Sequence, residues 1–105
     1  MSLRPLSDSE RDAARHKATA ARAARATVKA ELKSGETTVA DVIARSAENE
    51  AIGRLKVSDL LESLPGVGKV RATAIMEEVG IAPTRRVRGL GVHQRVALIA
   101  HLGER

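Results

Sequence analysis

Apolar residues recur along this chain at the spacing of α-helices. Val39, Val42 and Ile43 occupy positions i, i+3 and i+4, which lie on one face of a helix. A later segment repeats the pattern and predicts an inward face of Val70, Ala74, Ile75 and Val79. Alanine, the strongest helix former, is abundant throughout. The sequence therefore predicts an all-α fold.

The first long segment differs because it has almost no large apolar residues. Residues 10–33 contain no Gly or Pro and are rich in Ala and Arg, both of which favour helix. The S-x-x-E sequence that begins at Ser7 predicts a capped helix start, and Gly35 predicts the end. Only Val28 and Leu32 are large and apolar, so the first half of this helix is expected to project as an arm.

Six cations of this predicted helix fall on one side of it. At 100° per residue they form a stripe about 80° wide, where a helix built only for solubility would interleave opposite charges. We interpret the stripe as a phosphate-contact surface; a solvated face is the alternative. The stripe consists of Arg11, Arg15, Arg22, Arg25, Lys29 and Lys33. Its candidate DNA-binding residues are Arg15, Arg22, Arg25 and Lys29. The chain is accordingly divided into a basic helical arm, residues 1–35, and a helical body, residues 36–105.

Short helices are predicted for the body. Ser58 is expected to cap a short apolar helix that a proline and a glycine then break. A helix over residues 69–79 is expected to end at Gly80, and a last helix to run over residues 93–102.

Composition narrows the possible functions. The formal net charge is +5, and two basic segments flank an acidic middle, a distribution typical of a protein that binds polyanions. Phe, Tyr and Trp are absent, which disfavours the base stacking that single-strand binders use. Cysteine is absent as well, which excludes disulfides and thiolate metal sites. No segment approaches the length of about 20 apolar residues that spans a bilayer. We expect a cytoplasmic protein without membrane contact, cofactor or metal.

The sequence LPGVGK, which begins at Leu64, resembles a phosphate-binding loop. The sequence does not match a Walker A loop, because Val70 follows Gly68-Lys69 where that motif needs a Ser or Thr. It does not match the dinucleotide-binding fingerprint either, because Arg71 stands in place of the third glycine. Helices on both sides predict instead a helix–hairpin–helix, whose open amides and helix dipole can hold a DNA phosphate. A purely structural turn is the alternative. The candidate DNA-binding residues here are Pro65, Gly66, Val67, Gly68, Lys69 and Arg71.

A second basic motif, RRVRGLG, begins at Arg85. Three arginines within four residues repel one another unless an anion joins them, and guanidinium groups match phosphates in a bidentate way. They can also enter a DNA groove. Surface arginines without a partner are the alternative. The candidate DNA-binding residues of this motif are Arg85, Arg86, Arg88 and Gly89.

Together these motifs resemble the actinobacterial (mycobacterial-type) integration host factor family of nucleoid-associated proteins. The block from Ile52 to Gly91 carries the resemblance, and its core is similar to the helix–two-turns–helix module of formamidopyrimidine-type DNA glycosylases and a ribosomal protein. The resemblance implies binding of double-stranded DNA largely without sequence specificity, DNA bending, chromosome organisation, and assistance to phage integrase-mediated recombination. It also implies the hairpin and arginine contacts named above.

Two other functions use similar DNA- or RNA-binding motifs. A DNA glycosylase or lyase is disfavoured because no Asp follows Asp59, and stacking aromatics for a damaged base are missing. We therefore expect no enzymatic activity. An rRNA-binding ribosomal-type protein is the alternative, although that family carries a long basic C-terminal tail and this chain ends two residues after Gly103. We expect a monomer that touches DNA phosphates from two regions, the arm and the hairpin with its arginines.

Overall fold

The structure, a computed structural model, describes residues 7–103, and most of these residues lie in helices. The prediction of an all-α fold is confirmed. Within these residues the extended backbone forms only an isolated bridge between Lys56 and Arg86. The elements are α1 (Asp8–Ser34), α2 (Val39–Ser46), α3 (Glu50–Gly53), α4 (Val57–Glu62), α5 (Lys69–Val79), a 3₁₀ turn (Val87–Gly89) and α6 (Val92–His101).

Helix α1 begins and ends where the local sequence predicts. The backbone N–H of Glu10 donates to Ser7 Oγ at 3.2 Å, which satisfies one amide of the first turn. Gly35 adopts a left-handed φ of 84°, and the N–H of Glu36 then donates to the Glu31 carbonyl at 2.9 Å. The helix has 27 residues and is therefore about 40 Å long.

The two halves of α1 have different environments. Residues 11–20 are exposed, whereas Val28 and Leu32 are each only 1 % exposed. At the base of the helix, Arg45 of α2 lies 3.5 Å from the Glu31 carboxylate, and Arg25 Nη1 lies 3.5 Å from the Ala51 carbonyl oxygen. The N-terminal half of α1 thus projects from the body, while its C-terminal turns are part of the core.

A single aliphatic core joins the last turns of α1 to the other helices. Helix α1 packs on α3, α2 packs on α3 and α6, and α5 packs between α4 and α6. Large aliphatic side chains fill the interior in place of aromatic rings, and each contributes about 1.5–3 kcal/mol by burial. The innermost side chains are Val28, Leu32, Val39, Val42, Ile52, Val57, Leu60, Leu61, Val87 and Leu98.

The middle of the chain corrects one sequence prediction. The acidic segment after α2 forms the one-turn helix α3, whose first turn is capped by the Asn49 side chain accepting from the Ile52 N–H at 3.2 Å. Ser58 was expected to cap α4, which was wrong because α4 already begins at Val57. Val57 is fully buried, so tertiary packing outweighs the capping preference of serine at this start.

The inward face predicted for α5 was also partly wrong. Val70 is 86 % exposed, and the buried positions are Ala72, Ile75 and Met76. The helix bounds, residues 69–79, agree with the prediction, and Gly80 ends the helix with a φ of 83°. The face is rotated because α5 packs between α4 and α6, and a single-helix pattern cannot specify that geometry.

In the described residues, no helix is both long and apolar enough to cross a membrane.

Candidate nucleic-acid interface

The hairpin between α4 and α5 is a tight turn followed by an open helix start. The N–H of Val67 donates to the Leu64 carbonyl at 3.1 Å, with Pro65 and Gly66 at the two central positions. Gly66 has a φ of +76°, as the third position of a type II turn requires. A Cβ placed on Gly66 or Gly68 would meet no atom within 4 Å, so the backbone here is accessible to a ligand.

Helix α5 starts without a side-chain cap. Gly68 precedes it in an extended conformation and provides no hydrogen-bonding side chain, so the first amides of α5 point outward. Lys69 and Arg71 are exposed beside these amides. The arrangement combines open N–H donors, the positive end of a helix and two cations, which is suited to binding one backbone phosphate. Because α4 precedes the loop as a helix, the exclusion of nucleotide-binding loops stands.

The arginine turn is fixed to the segment before α4 by a short antiparallel pairing. The N–H of Val87 donates to the Leu55 carbonyl at 2.9 Å, and the N–H of Val57 donates to the Arg85 carbonyl at 3.0 Å. Val87 and Leu90 are buried in the core. The 3₁₀ turn therefore holds its arginines at the surface of a rigid frame.

The three arginines of this turn point in different directions. Arg85 Nη1 donates to the Gly89 carbonyl at 3.1 Å, so that its side chain folds back over its own turn. Arg86 Nη1 donates to the Arg54 carbonyl. Arg86 and Arg88 line an open groove between the arm and the body, whereas Arg85 does not.

This groove has a volume of about 1150 Å³ and is strongly basic. Eight cations and three carboxylates line it, which gives a formal net charge of +5. Glu50 lies 2.7 Å from Arg54, so one carboxylate is already paired inside the groove. Its lining cations are Lys17, Arg22, Arg25, Lys29, Arg54, Lys56, Arg86 and Arg88. The carboxylates are those of Glu48, Glu50 and Asp59.

The arm contributes a wall of small side chains to the groove. The groove is also lined by three cations of the predicted stripe, namely Arg22, Arg25 and Lys29. Lys17 lines the groove as well, although it lies about 200° from Arg15 around the helix. Arg15 does not line the groove and instead lies 3.9 Å from Asp12. Small methyl groups let a bulky polymer backbone approach the helix closely. The wall consists of Ala14, Ala18, Ala20, Ala21 and Ala24.

Sequence reasoning missed three of the groove cations. Lys17 lies outside the stripe on a helical wheel, and Arg54 and Lys56 belong to the segment that reads as acidic overall. The available signal was the I-G-R-L-K-V stretch, in which two cations flank a leucine. Leu55 is buried, and its neighbours on either side therefore point outward.

The hairpin and the groove are separate surfaces. None of the residues from Pro65 to Arg71 lines the groove, although all of them are described. Helix α5 packs on α4 and α6, whereas the groove lies between α1 and the segment that includes α3. The structure thus brings together the arm and two arginines of the turn, and it leaves the hairpin as a second basic surface.

Comparison with known proteins places this architecture in a family. The model of the S13-like H2TH domain matches residues 32–102. The chain is 53 % identical to an integration host factor of Streptomyces coelicolor, over 98 % of this chain and 96 % of that protein. It is 52 % identical to the integration host factor of Mycobacterium tuberculosis, over 98 % of each chain. This chain belongs to the actinobacterial integration host factor family.

A solved structure of the same family supports the fold. The structure of sIHF bound to an 8 bp palindromic DNA matches with a TM-score of 0.80 and 55 % identity. The match covers 82 % of this chain and 97 % of that chain. The resemblance to the actinobacterial integration host factor family, inferred from the sequence, is therefore confirmed.

Proposed function

We propose that this chain is an architectural DNA-binding protein that binds double-stranded DNA largely without sequence specificity, through backbone phosphates. The observation that carries the proposal is the basic groove, in which eight cations from the arm, the stretch between α3 and α4 and the arginine turn line one open channel. The DNA-bound sIHF, which shares the fold at 55 % identity, supports the same class of ligand.

The chemistry of the two surfaces favours phosphate contacts over base reading. Arginine and lysine at the groove match phosphates, and the hairpin offers backbone amides that cannot distinguish bases. The alanine wall supplies close approach without the aromatic faces that single strands need. Contacts of this kind position a duplex and give an affinity that depends steeply on salt.

Two separate basic surfaces would constrain the path of the DNA. If the groove and the hairpin hold phosphates of one duplex, the duplex must curve around the body, and the additional contacts offset the deformation energy. We propose that DNA bending and chromosome organisation arise in this way. This step is supported by the separation of the two surfaces, since none of the described hairpin residues lines the groove.

A binding series over nucleic-acid types tests the proposal. Fluorescence anisotropy would compare two unrelated DNA duplexes, a duplex RNA and a DNA single strand at several salt concentrations. We expect similar affinity for both DNA duplexes, weaker binding of the single strand, and a log–log salt slope of about −4 to −6, since only part of the cations touch phosphate at once. Equal affinity for structured RNA would favour the ribosomal-type alternative.

A double substitution in the arginine turn separates phosphate binding from base reading. Arg85→Ala combined with Arg86→Ala should weaken binding evenly across unrelated sequences, because phosphate contacts carry no sequence information. A change in sequence preference with unchanged affinity would contradict the phosphate-contact proposal.

The remaining expectations on partners concern assembly and location. We propose a monomer that acts in the nucleoid, has no enzymatic activity and assists phage integrase complexes, in keeping with the name of the family. Light scattering on the free protein tests the monomer, since a dimer would double the measured mass. Integrase-mediated recombination in vitro, with and without the protein, tests the assistance.

A further inference from the structure

We infer that Gly53 is a positioning residue for DNA binding because it leaves the room in which the Arg88 side chain lies as it enters the groove. The inference rests on the proposed function and extends it to a residue that touches no DNA. Gly53 ends helix α3 and is buried, whereas Arg88 lies on the exposed arginine turn and lines the groove.

The space over Gly53 is filled by the stem of Arg88. A Cβ built on Gly53 would lie 3.2 Å from Arg88 Cβ, 3.7 Å from Arg88 Cδ and 3.3 Å from the Ser46 carbonyl oxygen. The first and last of these distances are shorter than ordinary van der Waals contacts, which are about 3.5–4.0 Å. The methylene chain of Arg88 therefore runs across a bare α-carbon, and any other residue at position 53 would displace it.

Glycine is not needed at this position for its backbone conformation. The glycines with positive φ in the described residues are Gly35, Gly66, Gly80 and Gly103, so Gly53 has a φ that alanine tolerates. In a helix, glycine is about 1 kcal/mol less favourable than alanine. Glycine at position 53 thus lowers helix stability without being required by the backbone φ. The packing of the Arg88 side chain over Gly53 accounts for glycine at this position.

Neither neighbour can yield easily to a larger side chain. The Ser46 oxygen belongs to the main chain of the last turn of α2, and Arg88 Cβ is attached to the 3₁₀ turn that buried Val87 anchors. Gly89 offers a contrast, because a Cβ there would meet Arg85 Cδ at 3.1 Å, which belongs to the far part of a flexible side chain. A Cβ at Gly53 is thus harder to accommodate than one at Gly89. The close packing over Gly53 holds the Arg88 side chain in place and so preorganises its guanidinium for a phosphate.

A double-mutant cycle tests the inference. Duplex DNA affinity would be measured for the wild-type chain, Gly53→Ala, Arg88→Ala and the double variant. Arg88→Ala should lower affinity about eightfold at 0.1 M salt, the value of one phosphate contact. Gly53→Ala should lower it several-fold in the wild-type background and leave it unchanged in the Arg88→Ala background, because both changes act on one contact.

A second glycine serves as a matched control. Gly91 precedes α6 with an ordinary φ, and a Cβ there would meet only the flexible Gln94 amide, at 3.7 Å. Gly91→Ala should leave DNA affinity unchanged. Wild-type affinity for Gly53→Ala, or an equal loss in both backgrounds of the cycle, would overturn the inference.

Nuclear magnetic resonance of the wild-type chain covers the case in which Gly53→Ala does not fold. Cross-peaks between the Gly53 α-protons and the Arg88 β-protons are expected in the free protein, and their absence would overturn the inference. A wild-type chain that fails to bind duplex DNA would refute the proposed function, whereas normal binding with an unaffected Gly53→Ala variant would refute this inference alone.

Discussion

Exchanging single charges on the arm distinguishes the groove from the sequence-derived stripe as the DNA-contact surface. Lys17 lines the groove but lies off the stripe, whereas Arg15 lies on the stripe but not in the groove. Both residues are on the exposed part of α1, so glutamine at either position should change stability by no more than about 0.5 kcal/mol. Lys17→Gln and Arg15→Gln therefore form a pair that differs mainly in the direction of the lost charge.

The size of the expected effect follows from counterion release. Each neutralised phosphate contributes about −0.9 to the log–log salt slope, which corresponds to about eightfold in affinity at 0.1 M salt relative to 1 M. Lys17→Gln should therefore weaken binding by up to about eightfold and make the slope less negative by about 0.9. Arg15 lies outside the groove, about 200° from Lys17 around a helix roughly 10 Å wide, and this width is about one Debye length at this salt concentration. Arg15→Gln should accordingly change affinity much less.

Anisotropy titrations of one labelled DNA duplex at several salt concentrations measure both quantities for each variant. Circular dichroism of the two variants is the control, since equal helix content ensures that only charge differs. The groove assignment would be refuted if Arg15→Gln lost as much affinity as Lys17→Gln or more. Such a result would place the DNA on the stripe that the sequence predicts.

Three further predictions concern stability and are checked by urea unfolding and amide hydrogen exchange. Gly66→Ala should destabilise the fold by about 1–2 kcal/mol, because Gly66 has a φ of +76°. Gly68→Ala should destabilise the fold less, because Gly68 has an extended φ of −91°. Equal losses of stability in the two variants would contradict this prediction. Gln94→Ala should cost about 1–3 kcal/mol, because its side chain joins the end of α5 to the start of α6 through two hydrogen bonds of 3.0 Å; an unchanged unfolding midpoint would refute it. Ser7→Ala should speed exchange of the Glu10 amide without lowering global stability, since the first half of α1 is exposed; a loss of global stability would refute that account.

Local signals predicted the helix termini well because each depends on a few neighbouring residues. Ser7, Gly35 and Gly80 act through their own conformation or one short hydrogen bond, and they function as expected. The hairpin also follows from local chemistry, since a proline followed by a glycine specifies the turn almost alone. For the same reason the exclusion of nucleotide-binding loops needed no structure.

Burial was harder to predict because it depends on which helices meet. Val70 fits an apolar face on a helical wheel but is exposed, since α4 and α6 contact another side of α5. Ser58 has the chemistry of a cap, yet α4 starts at buried Val57 with Lys56 as its N-cap, two residues earlier than a Ser58 cap requires. In both cases a long-range contact worth several kcal/mol exceeded a local preference of about 1 kcal/mol.

The amino-acid sequence by itself determined the helical fold, the positive charge, the hairpin turn and the arginine cluster, because composition and short motifs specify each of them. Only the tertiary structure decided which cations share a surface. Lys17 and Lys56 are far apart along the chain, and they face one groove because α1 packs on α3 at an angle that buried aliphatic side chains set. The same packing left the hairpin outside the groove and placed Gly53 beneath Arg88, since contacts between distant segments depend on how the helices pack rather than on any one helix.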